Sequence, residues 1–222
     1  MPDKTPDRGY RGASDPVTRA WAWVGVNLVD HGLIRMGWTN HFEVAPGVWR
    51  ANQPSPARLV WLHRQGFRSI LNLRGAGLHP SYLFERDACE RLGLHLESFK
   101  MSAKKLPAPD RLIALLDLLR HLPRPMLIHC KSGADRTGLV AAIHLLTVEG
   151  RPLDEARCQL SWKYLHRSTG PTGVLDHLLT TYERAGAARG LAFADWVAQD
   201  YDPARIAAEW RALGMGRRQG KA

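Results

Sequence analysis

Met126-Leu127-Ile128-His129-Cys130-Lys131-Ser132-Gly133-Ala134-Asp135-Arg136-Thr137-Gly138 passes from an apolar run, through a loop of small residues, into a helical pattern. The run 126–129 is short and follows Pro123 and Pro125, the pattern of a buried strand entered from a turn. Beyond the loop, Leu139, Val140, Ile143 and Leu146 fall at helical spacing and predict a helix over 137–148. A loop between such a strand and such a helix lets its backbone N–H groups converge above the helix N-terminus. The partial positive charge there makes an anion site. Cys130 stands at its floor, and a thiol beside a helix N-terminus and cationic groups is favoured as thiolate, the nucleophilic form. Five residues separate Cys130 from Arg136, enough for the chain to curl round a phosphate and return a planar guanidinium fork over two of its oxygens. Lys131, Ser132, Gly133 and Ala134 supply the amides in between.

Outward from this stretch, strands and helices alternate. Upstream, residues 47–51 read as a short strand, and Ser55-Pro56 as the cap and first turn of a helix ending at Gly66. An apolar run over 68–73 empties into Arg74-Gly75-Ala76-Gly77. A helix over 81–92 closes at Gly93, and 94–99 alternates as a strand does. A basic, Pro-containing loop over 104–109 precedes a strongly periodic helix from Asp110. Downstream, helices are predicted over 153–162 and 172–185, with a loop over 168–171 between them. A helical tail follows over 187–222, interrupted at Asp202-Pro203. The alternation predicts an α/β fold: a single domain over 39–186 with a central, mostly parallel sheet flanked by helices. Ligands in such sheets bind beyond the carboxyl ends of the strands.

The first residues, 1–15, are polar and predict a mobile arm. Residues 16–38 predict an N-terminal helix with one narrow polar stripe through Asn27, Asp30, His31 and Arg35. Its apolar face, with Trp21, Trp23 and Trp38, suits either packing on the domain or peripheral contact with a membrane interface. The polar interruptions argue against a signal peptide or a membrane span. Three cysteines, Cys89, Cys130 and Cys158, match neither a zinc site nor a paired framework, so a reducing, cytoplasmic setting is expected, at most peripheral to the inner membrane surface. Oxidative pairing of Cys89 or Cys158 with Cys130 is left open. A net charge of +10 attracts phosphates, anionic lipid headgroups or nucleic acid, and the absence of a recognition motif or aromatic platform argues against the last.

The segment His129 to Thr137 resembles the His-Cys-five-residues-Arg-Thr signature of the protein tyrosine phosphatase superfamily, and is most similar to atypical, dual-specificity-like phosphatases of bacterial type. Trp49-Arg50-Ala51-Asn52-Gln53-Pro54 and Ile70-Leu71-Asn72-Leu73-Arg74 extend the resemblance over about residues 48–182. The resemblance implies a phosphocysteine intermediate on Cys130, equatorial phosphate oxygens held by Arg136, support from His129 and Thr137, and neither metal nor cofactor. The general acid is less plain, because the region some thirty residues before the cysteine reads Leu96-Glu97-Ser98-Phe99-Lys100, without Asp. Asp135 resembles the acid of a bacterial subgroup, and Asp110 is the second candidate, with an ordinary role as a helix N-terminal acid beside it. Arg74 and Lys131 are candidate substrate contacts, while His166 and Arg167 read as a solvated basic face. The expected substrates are phosphotyrosine or phosphoserine proteins, phosphoinositides or inositol phosphates. A rhodanese-like sulfurtransferase and a non-catalytic phosphate-binding module are the competing readings.

Overall fold

The computed structural model describes residues 38–214. The expected arm over 1–15 and, Trp38 apart, the expected N-terminal helix lie outside the described residues, as does the end of the tail. Five strands form one sheet in the order β1-β2-β5-β3-β4: β1 (Phe42–Ala45), β2 (Val48–Ala51), β3 (Ser69–Asn72), β4 (His95–Ser98) and β5 (Met126–His129). Only β1 with β2 is antiparallel; β2, β5, β3 and β4 run parallel. β1 was not foreseen, because His41 to Ala45 carries charge and no clean alternation. It pairs across Gly47, whose φ of 74° makes the tight reversal.

The helices are α1 (Pro56–Arg64), α2 (Pro80–Leu92), α3 (Pro109–His121), α4 (Asp135–Thr147), α5 (Leu153–Arg157), α6 (Val174–Ala185), α7 (Phe193–Gln199) and α8 (Pro203–Ala212). Local chemistry sets their ends. Ser55 accepts from the Arg58 amide to cap α1, and Gly93, at φ 67°, closes α2. Asp202 accepts from the amides of Ala204 and Arg205 ahead of α8, with Pro203 in the first turn.

Period-2 alternation divides the core into two layers. Met126, Ile128 and Cys130 lie with Leu71, Leu73 and Val48 on the face covered by α3, α4, α6 and α7. Leu127, Ile70 and Ala51 lie on the other, under Leu59 and Leu62 of α1 and Ala88 and Cys89 of α2. All four residues of β5 are buried, each apolar one stabilising the fold by about 1.5–3 kcal/mol. The central strand therefore cannot shift register, and its carboxyl end, with Cys130 next in line, is a fixed point.

One predicted helix is shorter than expected. The pattern over 153–162 reads as continuous, yet α5 stops at Arg157 and a 3₁₀ turn occupies Trp162–Tyr164. The Gln159 carbonyl, which a longer helix would use to accept from Lys163, instead accepts from Arg50 Nη1 at 2.8 Å.

Candidate active site

The loop after β5 is moulded by its neighbours. The Lys131 carbonyl accepts from the Gln53 amide at 3.3 Å, and the Ser132 carbonyl from Asn40 Nδ2 at 3.2 Å. Those of Gly133 and Ala134 accept from Arg50 Nη2 at 2.6 and 3.4 Å. Four successive carbonyls are thus drawn toward the segment that holds β1 and β2. A planar trans peptide sets its N–H opposite its C=O, so the amides of Ser132, Gly133, Ala134 and Asp135 face the other way, into the loop. There they join the first-turn amides of α4, which have no intrahelical acceptor. Ser132 Oγ takes a long bond from the Ala134 amide at 3.4 Å. Gly133, at φ 76°, fits only because it has no side chain: a Cβ there would stand 2.7 Å from the Ala51 carbonyl.

Arg50 lies beneath this loop, fully buried and without a carboxylate partner among the described residues. Besides the loop carbonyls it donates to Gln159 Oε1 at 2.7 Å, and its guanidinium lies 3.6 Å from the centre of the Tyr164 ring. Burial pulls its pKa down to about 10, with Tyr164 and Cys130 opposing the fall. The charge is retained at neutral pH, a buried cation beneath the buried Cys130.

His129, on the opposite face of β5, is equally buried. Its Nε2 lies 2.7 Å from Glu85 Oε1, a close approach rather than an aligned hydrogen bond, and its Nδ1 is 3.3 Å from the Cys130 carbonyl. Asn72 Nδ2 donates to the other Glu85 oxygen at 2.8 Å, while Asn72 Oδ1 accepts from the Arg74 amide at 2.7 Å. Glu85 thereby ties the end of β5 to the end of β3.

α4 begins at Asp135, two residues before the expected start, so Asp135 and Arg136 occupy its first turn. Arg136 Nη1 reaches the carbonyls of Leu73 at 3.3 Å and Met101 at 3.5 Å, just past the ends of β3 and β4. Its Nε is buried without a partner among the described residues, as is the hydroxyl of Thr137. Arg74 Nη1 donates to Gln53 Oε1 at 2.9 Å, which sets this side chain beside the residue whose amide holds Lys131. Asp110 sits exposed in the first turn of α3, and among the described residues no hydrogen bond or ion pair joins it to the loop.

His166, expected on a solvated face, is buried. Its Nδ1 lies 2.8 Å from Asp135 Oδ1 and its Nε2 2.7 Å from Asp176 Oδ2. Burial would lower its pKa, but the hydrogen bonds to Asp135 and Asp176 outweigh it and raise the value to about 9. At neutral pH both ring nitrogens donate. The partners lie 31 residues upstream and 10 downstream, so no local pattern reveals them. Asn40, Glu85 and Arg50 escaped sequence reasoning for the same reason, although a charged Arg50 within the short apolar strand around it was a visible signal.

Cys89, on α2 and on the face of the sheet away from Cys130, has its thiol pushed up to about 12 by burial and by Glu85. With the sheet between them, the two cannot approach to disulfide distance. Cys158 is exposed and donates to the Asp154 carbonyl at 3.4 Å. Among the described residues no cluster of His, Cys, Asp and Glu could hold a metal ion, and no helix is long and apolar enough to cross a membrane.

Residues 35–168 match the family described as DSP-PTPase phosphatase fused to NAD+ kinase. Among solved structures, TpbA of P. aeruginosa is 20% identical with a TM-score of 0.52, covering 70% of this chain and 90% of its own. A Cys-to-Ser form of TpbA in complex with pTyr gives the same identity and TM-score, at 72% and 91% coverage. Tk-PTP in a Gly-to-Ala mutant form is 19% identical with a TM-score of 0.51, covering 65% and 97%. At these identities the likeness establishes the fold. No curated protein matches the sequence.

Proposed function

The chain belongs to the family of DSP-PTPase phosphatases found fused to NAD+ kinase, and from that premise we propose that it hydrolyses phosphate monoesters through a phosphocysteine formed on Cys130. The family is one of phosphatases, so the enzyme is a hydrolase of that class and not a sulfurtransferase. The observation that carries the mechanism is the capture of four consecutive loop carbonyls by Asn40, Arg50 and Gln53, which turns the opposing amides toward one anion. Fixed dipoles of this kind stabilise charge on the phosphoryl oxygens without reorganising during transfer.

In the first step Cys130 Sγ attacks phosphorus as the ester P–O bond breaks, and the leaving oxygen takes up a proton. Arg136, held at the ends of β3 and β4, swings its fork from two backbone carbonyls to two equatorial oxygens. In the second step water attacks phosphorus, the S–P bond breaks, and inorganic phosphate leaves with the thiolate restored. Asp135, in the first turn of α4, is the first candidate to carry the protons, and Asp110 the second. Lys131 and Arg74 extend the positive surface around the loop and favour anionic substrates, phosphorylated proteins or inositol-based phosphates. The phosphotyrosine bound to the Cys-to-Ser form of TpbA supports testing phosphopeptides first.

The test is release of inorganic phosphate from phosphotyrosine peptides, phosphoserine peptides and inositol phosphates. Turnover should be blocked by vanadate and absent from Cys130→Ser. Substrate hydrolysis that survives Cys130→Ser would overturn the assignment.

A further inference from the structure

Asp135 is not a lone carboxylate at the head of a helix. Its Oδ1 is 2.8 Å from His166, whose ring is almost fully buried and is anchored on its far side by Asp176 at 2.7 Å. Asp135 keeps a quarter of its side chain exposed, and its second oxygen has no hydrogen-bond partner within the trio. The charged groups against the ring are Asp135 from α4 and Asp176 from α6, with Arg167 next in the chain. A cavity of about 280 Å³, lined by Ser161, Trp162, His166 and Arg167 among others, lies beside it. Two carboxylates converging on one buried imidazole exceed what joining α4 to α6 requires, since Leu139 and Val140 of α4 and Leu175 and Leu178 of α6 already share one apolar core.

We propose that His166 is a positioning residue: anchored by Asp176, it grips one oxygen of Asp135 and leaves the other free to take a proton from the water that attacks the phosphocysteine. The inference rests on the phosphatase reading above and concerns its second step. As the water oxygen bonds to phosphorus, the S–P electron pair returns to Cys130 and the water proton passes to Asp135, which later yields it to solvent. With one oxygen pinned, the carboxylate has one orientation to offer the incoming water.

Burst kinetics with p-nitrophenyl phosphate separate the two steps, because nitrophenolate departs with little need of an acid. His166→Ala should keep the burst of nitrophenolate and slow steady turnover about 10- to 100-fold, less than the roughly 100- to 10,000-fold that loss of the base itself costs. His166→Asn, whose amide can donate to Asp135, should recover part of the loss. Asp176→Asn preserves shape and removes one of the carboxylates favouring imidazolium, so the basic limb of the kcat profile should move to lower pH. Steady turnover of His166→Ala within about twofold of the parent, or equal loss of burst and turnover, would overturn the proposal. If His166→Ala does not fold, the Asp176→Asn profile decides: an unmoved basic limb overturns the proposal. A parent protein with neither burst nor turnover removes the phosphatase reading itself, an outcome distinct from all of these.

Discussion

Arg50 shows how one side chain can set the shape of a candidate catalytic loop it does not belong to. Five contacts converge on its guanidinium: two carbonyls of the loop, two oxygens of Gln159 and the Tyr164 ring. Lysine at this position keeps the charge but lacks the planar fork that serves several acceptors together. Arg50→Lys should therefore leave the buried Gly133 carbonyl unsatisfied, at about 1–3 kcal/mol, lowering the melting temperature and cutting kcat/KM by at least about tenfold. A thermal melt and steady-state kinetics on one preparation check both. The residues to which the chemistry is assigned by the proposal were legible in the sequence because they are contiguous: Cys130 to Arg136 is a local pattern with a physical reason at each position. Their supports were not. Arg50, Asn40, Glu85 and His166 reach the segment from His129 to Asp135 across 31 to 92 positions of chain, and a sequence pattern carries no signal of such pairings.

Among the elements, α4 carries the greatest demand, since its N-terminus closes the anion site while its body packs against the sheet. Gly138, in its first turns, has no room for a side chain: a Cβ would meet the Gln159 carbonyl at 2.7 Å and Leu160 at 2.8 Å. The close approach is what lets Gln159 serve Arg50. Gly138→Val should push α4 from that turn, loosen the loop and destabilise the fold by about 1–3 kcal/mol, as overpacking does, with a matching loss of turnover. Denaturant unfolding beside the phosphatase assay measures the two together. Helices and parallel strands were readable from their periodicity and stop signals, and β5 lies where expected. β1 and the end of α5 were not readable, since the first depends on pairing across Gly47 and the second on a carbonyl captured by a distant arginine.

For the whole molecule, three histidines bracket the pH range of stability. His41 has its pKa lowered to about 4, first by burial and then by Arg58, and burial also lowers that of His144, so folding favours their neutral forms. Their contribution is intact above the unfolded value of about 6.5 and is lost as pH falls below it. His166 acts in the opposite sense: raised to about 9, it contributes fully below about 6.5 and loses that contribution as pH climbs through 9. The melting temperature should peak near pH 6.5 and fall on both sides. His166→Gln should flatten the alkaline side alone, which a series of melts at constant ionic strength would reveal. Asn40, Arg50 and Gln53 all belong to the first hairpin and its flanks, at one rim of the sheet. The hairpin is thus the die in which the proposed phosphate cup is cast, and a partner that levered it away from β5 would unmake the cup without touching Cys130.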